Sequence, residues 1–302
     1  MTPVPRLGDW RTLTGPSGAW LAVAGDHVAA AGLDRLSVWR DGTLLLTATA
    51  GTSAPGRPRF VAAGAGGTAQ VYWATTVVDL AGAGIRRLDD LARAVVPKPV
   101  PRKPGHAAGS PRLTDLAWSA DGSTVLVSRQ ESGPSRSLSA SATLYRSTGE
   151  PLAELWRGQE LGPVAGLVGP DWAVVGGRQQ LVCSFDGSRL AVLDGVTPPR
   201  RIDTDETASR VLTVEAPMLR LWDTTGWELV AAAEGPWVDA CLGPGGDWVL
   251  ALDYDGRLQV LDAALEPVDR PAAPGAPDGI AAGDRSVAAA IGGTVCSAAL
   301  LG

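Results

Sequence analysis

The chain has 302 residues, of which 45% are apolar and 19% are charged, and this composition excludes bulk disorder. Its formal net charge of −6 argues against a surface dedicated to nucleic acid. No apolar run approaches the roughly 18 residues of a membrane span, and the first residues contain no apolar segment typical of a secretory signal. We therefore expect a cytoplasmic protein that uses neither a membrane nor nucleic acid as a partner.

Short apolar runs separated by Gly, Pro and Asp follow one another along the chain, as in a protein of many β-strands. An isolated strand is predicted at Trp10–Thr14. It is followed by units of about 40 residues that each contain three or four strands. The predicted units are 19–51, 57–96, 112–156, 162–196, 200–235, 236–270 and 279–301.

The unit at 236–270 shows the pattern most clearly, because Asp255-Gly256 between two apolar runs fits a tight hairpin turn. Its three clear strands bury too little surface to be stable alone, so the unit requires copies of itself. The turn glycines Gly122 and Gly246 lie 124 positions apart. Three repeats of about 41 residues would account for this spacing, which is that of four-stranded β-propeller blades.

The two ends of the chain complete this prediction. The last unit, 279–301, lacks a fourth strand, and the strand at Trp10–Thr14 lacks a partner. Pairing them would complete a blade and remove the open edges of the ring. We therefore predict an all-β fold in which residues 1–302 form a single seven-bladed β-propeller, closed by pairing of the amino-terminal strand with the carboxy-terminal blade.

Two segments leave alternatives open. Ile85–Val96 spaces its apolar residues at helical intervals, so a short helix could replace or follow the outer strand of its blade. Gln180–Leu193 could be the first hairpin of a blade instead of the last, which would give six blades. That phasing leaves Trp172–Val175 and Val211–Glu215 without places in the ring.

Residues 97–111 form a proline-rich segment that cannot join a sheet, because proline lacks the backbone donor that a ladder needs. We predict a basic surface loop carrying Lys98, Arg102 and Lys103 in an otherwise acidic protein. Such a loop could contact an acidic partner surface, and the alternative is a solvated tether. The three cysteines, Cys183, Cys241 and Cys296, lie in apolar runs without a CxxC motif and are predicted to be buried free thiols.

The third strands of several units resemble those of WD-repeat propellers. Leu221-Trp222-Asp223 matches the dipeptide that gives the family its name, and Val38-Trp39-Arg40 and Leu144-Tyr145-Arg146 occupy the same place. Asp121-Gly122 resembles the first-turn motif of the family. The histidine that family members carry near the start of each blade is missing, since the chain contains only His27 and His106. The chain thus resembles a divergent, bacterial type of WD-repeat propeller.

This resemblance implies a non-enzymatic scaffold for protein–protein interaction, without a cofactor, a metal or a small-molecule substrate. Propellers of this kind resemble components of bacterial multi-protein systems, including conflict systems. The residues that the resemblance places on the partner-binding face are Asp115, Asp239, Trp237 and Arg59. The basic charge of the loop adds Lys98, Arg102 and Lys103 as further partner-binding candidates. For Trp237, packing between blades is the alternative.

Two other functions remain alternatives. The first is a propeller hydrolase or lyase with a metal in the central channel, for which Asp115, Asp239 and Asp278 are the candidate ligands. Neither His27 nor His106 has a nucleophile at a telling spacing. The second is a glycan-binding propeller, which would expose Trp side chains at equivalent positions of successive blades.

Overall fold

The computed structural model describes residues 4–15, 20–32, 34–49, 57–61, 70–82, 84–95, 112–132, 138–158, 165–176, 180–195, 197–273 and 275–301. Within these ranges, seven antiparallel sheets of four strands each stand in a ring, so the predicted seven-bladed β-propeller is confirmed. The basic loop at 97–111, with Lys98, Arg102, Lys103 and His106, lies outside the described residues.

The strands follow chain order from the centre of the ring outward. Strand β1 (Arg6–Leu13) comes first in the chain but belongs to the last blade. Blade 1 contains β2 (Trp20–Ala24), β3 (His27–Ala31), β4 (Arg35–Arg40) and β5 (Thr43–Thr49). Blade 2 contains β6 (Arg59–Val61), β7 (Gln70–Trp73), β8 (Thr76–Asp79) and β9 (Gly84–Arg87), followed by helix α1 (Asp89–Val95). Blade 3 contains β10 (Arg112–Trp118), β11 (Thr124–Ser132), β12 (Leu138–Arg146) and β13 (Pro151–Gly158).

The remaining blades repeat this arrangement. Blade 4 contains β14 (Ala165–Val168), β15 (Trp172–Gly176), β16 (Gln180–Ser184) and β17 (Arg189–Leu193). Blade 5 contains β18 (Arg201–Thr204), β19 (Arg210–Val214), β20 (Met218–Asp223) and β21 (Glu228–Glu234). Blade 6 contains β22 (Trp237–Leu242), β23 (Trp248–Asp253), β24 (Leu258–Asp262) and β25 (Pro267–Asp269). Blade 7 contains β26 (Gly279–Ala282), β27 (Ser286–Ile291), β28 (Thr294–Leu301) and, as its outer strand, β1 (Arg6–Leu13).

The pairing of β1 with β28 closes the ring as the sequence predicted. The two strands run antiparallel from Arg6 opposite Leu301 to Leu13 opposite Val295. The six-blade alternative is wrong, because Gln180–Ser184 pairs with β15 on one side and β17 on the other. In blade 2, the helix follows the outer strand β9 and does not replace it.

The turn glycines that set the repeat length occupy equivalent positions. Gly122 follows β10 and Gly246 follows β22, three blades apart, and both have positive φ angles, +67° and +70°. A side chain at Gly122 would be strained by this backbone conformation. Its Cβ would also lie 2.5 Å from the ring of Tyr72 in the preceding blade. The turn thus requires glycine both for its own geometry and for contact between blades.

The hydrophobic core consists of clusters between neighbouring blades. In one of them, Leu13 of the closing strand packs with Trp39 and Leu21 of blade 1 and with Val295 of blade 7. Equivalent clusters lie at the other interfaces of the described structure. Each blade therefore buries both faces of its sheet, which an isolated blade could not do.

Tryptophan side chains link neighbouring blades through indole N–H groups as well as through packing. Four of them donate to a backbone carbonyl of the adjacent blade or its connecting segment, at distances of 2.8–3.1 Å. The pairs are Trp10 with Ala272, Trp39 with Thr14, Trp118 with Ala74 and Trp237 with Ala233. A large ring with one polar group suits an interface that is apolar but contains unpaired carbonyls.

Helix α1 packs against the outer side of blades 2 and 3. Leu91 and Val95 are buried in the cluster that joins these blades. Arg129 of β11 donates from Nη2 to the carbonyls of Ala94 and Val95, at 3.0 and 3.1 Å. A cation at the end of a helix pairs with carbonyls that have no partner within the helix. No helix in the described ranges has the length and apolar character needed to cross a membrane.

Replacement of Leu13 by alanine tests how much the closing strand contributes to stability. Leu13 is 3% exposed in the cluster between blades 7 and 1, so Leu13→Ala should lower the free energy of unfolding by about 2–5 kcal/mol. The matched control is Leu45→Ala, because Leu45 on an outer strand is 41% exposed, and it should change stability by less than about 1 kcal/mol. Urea unfolding of both variants measures the difference, and equal losses would contradict the proposed role of the strand.

Candidate functional site

The inner strands of the blades line a central channel. They are β2, β6, β10, β14, β18, β22 and β26, each at the inner edge of its sheet. The channel contains a cavity of about 800 Å³, a volume within the range of ligand-binding pockets. Arginine and aspartate side chains from opposite sides of the ring project into it.

Asp239 of β22 contacts two of the arginines that line this cavity, Arg57 and Arg201. Its Oδ1 and Oδ2 accept hydrogen bonds from Nη1 of Arg201, at 3.2 and 3.3 Å. Its Oδ1 lies 3.4 Å from Nη2 of Arg57, which enters from blade 2 on the far side of the channel. The backbone N–H groups of Ala240 and Ile280 donate to the same carboxylate at 3.0 and 3.2 Å. Asp239 thus has four donor residues and links blade 6 to blades 2, 5 and 7.

Arg201 of β18 connects blade 5 to the next two blades. Besides its bonds to Asp239, it donates from Nη1 to the carbonyl of Ile280 in blade 7 at 2.9 Å and from Nη2 to Asp203 at 3.1 Å. Asp203 in turn accepts the N–H of Leu242 in blade 6 at 3.2 Å. Arg201 is 6% exposed, and removing one partner of such a buried pair is costly, because the other charge is left uncompensated.

The pKa values of these groups follow from burial and from the neighbouring charges. Burial opposes ionisation of Asp239, but the cations of Arg201 and Arg57 together with the hydrogen bonds hold its pKa below the usual value. Burial also opposes the charge of Arg201, but Asp203 and Asp239 raise its pKa. For Cys241, burial raises the pKa of the thiol to about 12, which makes it a poor nucleophile at neutral pH.

Asp115 of β10 occupies the position in blade 3 that Asp239 occupies in blade 6, as the sequence predicted. Each follows a β-bulge in the inner strand, a feature that redirects the side chain after it. Each also accepts the N–H of the next residue and an N–H from the following blade, which for Asp115 are those of Leu116 and Gly166. The two carboxylates therefore both tie an inner strand to its neighbour.

The two positions differ in charge. No arginine forms an ion pair with Asp115 among the residues that the structure describes. Burial therefore prevails and raises the pKa of Asp115 to about 6, although its hydrogen bonds and the more distant Arg57 act in the opposite direction. Asp115 consequently changes its charge in the mildly acidic range.

The other residues predicted to bind a partner are placed as follows. Arg59 begins the inner strand β6 and lines the channel cavity. Trp237 is 4% exposed and packs between blades 5 and 6, which is the interblade position that the sequence left as the alternative. Lys98, Arg102 and Lys103 lie in the segment for which no placement is described, and their role stays a prediction.

The candidate groups for catalysis do not assemble in the described part of the chain. No three His, Cys, Asp or Glu side chains lie there in an arrangement that could hold a metal ion. Asp278 is exposed and accepts the N–H of Gly292 at 3.0 Å. His27 lies on β3, outside the ring of inner strands, where its Nδ1 is 2.8 Å from Asp26. All three cysteines are buried and free, as predicted.

Sequence reasoning missed Arg57, Arg201 and Asp203 as members of the site. The signal was present in the strand Arg201–Thr204, where Arg201 and Asp203 alternate with the apolar Ile202. Because the period of a strand is two, Arg201 and Asp203 lie on the same face of this inner strand, and both contact blade 6 there. Arg57 precedes β6 by two positions and lines the same cavity as Arg59.

Comparison with models of known protein families found no match, and a search of curated proteins also found none.

Replacement of Asp115 by asparagine should change how stability depends on pH. The pKa of Asp115 is raised in the folded protein to about 6, so the folded state binds this proton more tightly than the unfolded state does. The contribution of Asp115 to stability should therefore fall as the pH rises from about 4 to 6, and Asp115→Asn should remove this contribution, which is up to about 1.4 kcal/mol per pH unit. Asparagine retains an oxygen that accepts the N–H of Leu116.

Urea unfolding between pH 4 and 7 measures this slope. The control is Asp186→Asn, because hydrogen bonds from Ser184 and Ser188 lower the pKa of Asp186. The contribution of Asp186 to stability is lost only as the pH falls below the ordinary pKa of an aspartate. The variant Asp186→Asn should therefore leave the slope of stability between pH 4 and 6 unchanged. The same slope in wild type and Asp115→Asn would contradict the assignment.

Proposed function

We propose that the protein is a non-enzymatic scaffold for protein–protein interaction and that its partner binds the face on which the inner strands begin. The observation that carries this proposal is a pair of exposed side chains, Arg200 and Tyr254, at the mouth of the open channel. The guanidinium of Arg200 stacks over the ring of Tyr254 at 5.1 Å from its centre and donates to the phenol oxygen.

The position of this pair identifies the face. Arg200 directly precedes the inner strand β18 and also lines the channel cavity. Tyr254 lies in the turn after β23, where its N–H donates at 2.9 Å to the carbonyl of Pro236, just before the inner strand β22. Tyr254 is 56% exposed, the largest value among the exposed large hydrophobic side chains that the structure describes. Tyr and Arg dominate the binding energy at many protein interfaces.

The channel geometry favours this function over a metal-dependent hydrolase. The carboxylates at its centre, Asp239 and Asp203, already accept hydrogen bonds from Arg201 and from backbone N–H groups. A metal ligand or general base would have to give up these bonds. Asp115 lies in blade 3 and Asp239 in blade 6, each tied to its own neighbouring strand. They do not converge on one reacting position.

The distribution of tryptophan disfavours the glycan-binding alternative. All eleven Trp residues lie in the described part of the chain, and none of them is classed as exposed. A lectin of the predicted kind needs exposed indole rings at equivalent positions of several blades. Here the rings pack between blades, and four of them donate hydrogen bonds across those interfaces.

We assign the protein to the WD-repeat-like type by analogy, and its finer role is a part of the same proposal. Leu221-Trp222-Asp223 ends the third strand of blade 5, the place that this motif occupies in WD-repeat propellers. Trp222 is buried and donates from Nε1 to Thr213 Oγ1 at 3.2 Å. By the same analogy, we propose that the protein serves a bacterial multi-protein system of the conflict type, without a cofactor or a small-molecule substrate.

Affinity capture from the host organism tests the proposed face. The baits are the full chain and the variants Tyr254→Ala and Arg200→Ala. If the face binds the partner, each variant should weaken its retention at least about tenfold, which corresponds to a contribution of at least about 1.4 kcal/mol. Quantitative mass spectrometry of the captured proteins measures this retention.

The matched control is Leu190→Ser on the outer strand β17, because Leu190 is 51% exposed and far from the channel in its sheet. This bait should retain the partner as well as wild type does. If wild type and Tyr254→Ala retain the partner equally and Leu190→Ser loses it, the interface lies on the outer rim. That result would contradict the proposed face.

A further inference from the structure

The channel contains more hydrogen-bond donors than its own acceptors use. A guanidinium has five N–H donors. Arg57 makes one contact, at 3.4 Å to Asp239, and 36% of its side chain borders the open channel. Arg59 lines the same cavity and has no hydrogen bond or ion pair with any residue for which the structure gives a placement. Two arginines on one side of the channel thus have unused donors.

The acceptors on the opposite side are in contrast occupied. Asp239 and Asp203 accept from Arg201 and from backbone N–H groups. Asp205, which also lines the cavity, accepts the backbone N–H groups of Arg210 and Thr207 and the hydroxyl groups of Thr207 and Ser209. The exposed Glu206 and the bound Asp203 act on Arg59 only through space. The cavity is therefore balanced in charge but has a surplus of donors, which favours an oxygen anion as its ligand.

Arg57 can turn to a ligand at little cost to the cluster. If its single long contact to Asp239 is lost, that carboxylate keeps both bonds from Arg201 and those from Ala240 and Ile280. Burial and the neighbouring cation of Arg201 lower the pKa of Arg57, and burial lowers that of Arg59. A bound anion would relieve both effects, because an opposite charge stabilises a buried cation.

We propose that Arg57 and Arg59 form a carboxylate-binding site in the channel, which receives acidic side chains from an extended segment of the partner. This rests on the proposed function, since the partner is taken to be a protein that covers the channel mouth. Each guanidinium can hold a carboxylate through two parallel N–H donors.

The spacing of Arg57 and Arg59 predicts how far apart the two carboxylates of the ligand should be. Arg57 and Arg59 are two positions apart and both line the cavity, and two residues of extended chain span about 6.6 Å. An extended peptide repeats its side chains on one face at the same interval of about 6.6 Å. Two acidic residues separated by one other residue would therefore match the two guanidinium groups.

Isothermal calorimetry on the full chain tests the site with defined probes. The first probe is the peptide GEGEGS, acetylated and amidated so that its only charges are the two glutamates, and its control is GQGQGS. The second set of probes, citrate and inorganic phosphate, represents free oxygen anions. Wild type should bind GEGEGS and not GQGQGS, and added salt should weaken the binding.

Variants assign that binding to the two arginines. Arg59→Gln should weaken GEGEGS binding at least about tenfold, because hydrogen bonds to a charged group are lost. Arg59→Lys should give an intermediate affinity, because it retains the charge but not the planar fork. The control Arg86→Gln removes an exposed arginine of β9 that is not part of the cavity lining and should leave the affinity unchanged. Urea unfolding of each variant shows that it is folded.

Each outcome decides the proposal. Binding of GEGEGS that depends on Arg59 supports it. Binding of citrate or phosphate alone retains an anion site but overturns the acidic segment as its ligand. Equal binding of GEGEGS and GQGQGS, or no dependence on Arg59 with any probe, overturns the site itself. In that last case the capture experiment with Tyr254→Ala still tests the proposed scaffold independently. Failure of the carboxylate site is therefore distinguishable from failure of the proposed scaffold.

Discussion

The pairing of the two chain ends is the constraint on which the rest of the structure depends. Each blade buries both faces of its sheet against its neighbours, so an open ring would expose two apolar faces. Strand β1 supplies the outer edge of blade 7, while Leu13 and Trp39 join that blade to blade 1. Antiparallel pairing between strands so distant in sequence orders almost the whole chain at once, and the buried area at all the interfaces offsets that entropic cost.

The closed ring also creates the charged channel. Arg57 and Asp239 are 182 positions apart in sequence and belong to blades on opposite sides of the channel. Their approach depends on the number of blades, because the diameter of the ring sets the distance between opposite inner strands. In the low dielectric of such a site, a carboxylate is stable only if it is well supplied with donors, and Asp239 has backbone N–H groups as well as arginines. The arginines of blade 2, in contrast, retain donors that a ligand can use.

Much of the fold could be predicted from the sequence because turns and strand periodicity are local properties. Asp255-Gly256 and Gly122 mark turns that require positive φ, and both glycines have it. The distance between equivalent turns then gave the repeat length, and the unpaired segments at the two ends gave the closure. The prediction was least definite at Ile85–Val96, where a strand and a helix follow each other within a few residues.

The site was predictable in part. The repeat placed Asp115 and Asp239 at equivalent positions, and the bulges before them confirm this. Their different surroundings could not be predicted, because Arg201 reaches Asp239 from a neighbouring blade and Arg57 reaches it across the ring. Such contacts depend on the three-dimensional closure and leave no local pattern. The buried state of Trp237 likewise depends on the face of blade 5 against which it packs.

A disulfide across the closing strands tests the central claim most directly. Thr12 of β1 pairs with Cys296 of β28, and Thr12 Oγ1 lies 3.9 Å from Cys296 Sγ. In the variant Thr12→Cys, mild oxidation of the folded protein should therefore form a disulfide within the chain between these positions, identified by peptide mapping. The bond should raise the free energy of unfolding by about 2–5 kcal/mol, because it constrains the unfolded chain. A bond that forms only in denaturant, or that joins other cysteines in the folded protein, would contradict a ring closed by its two ends.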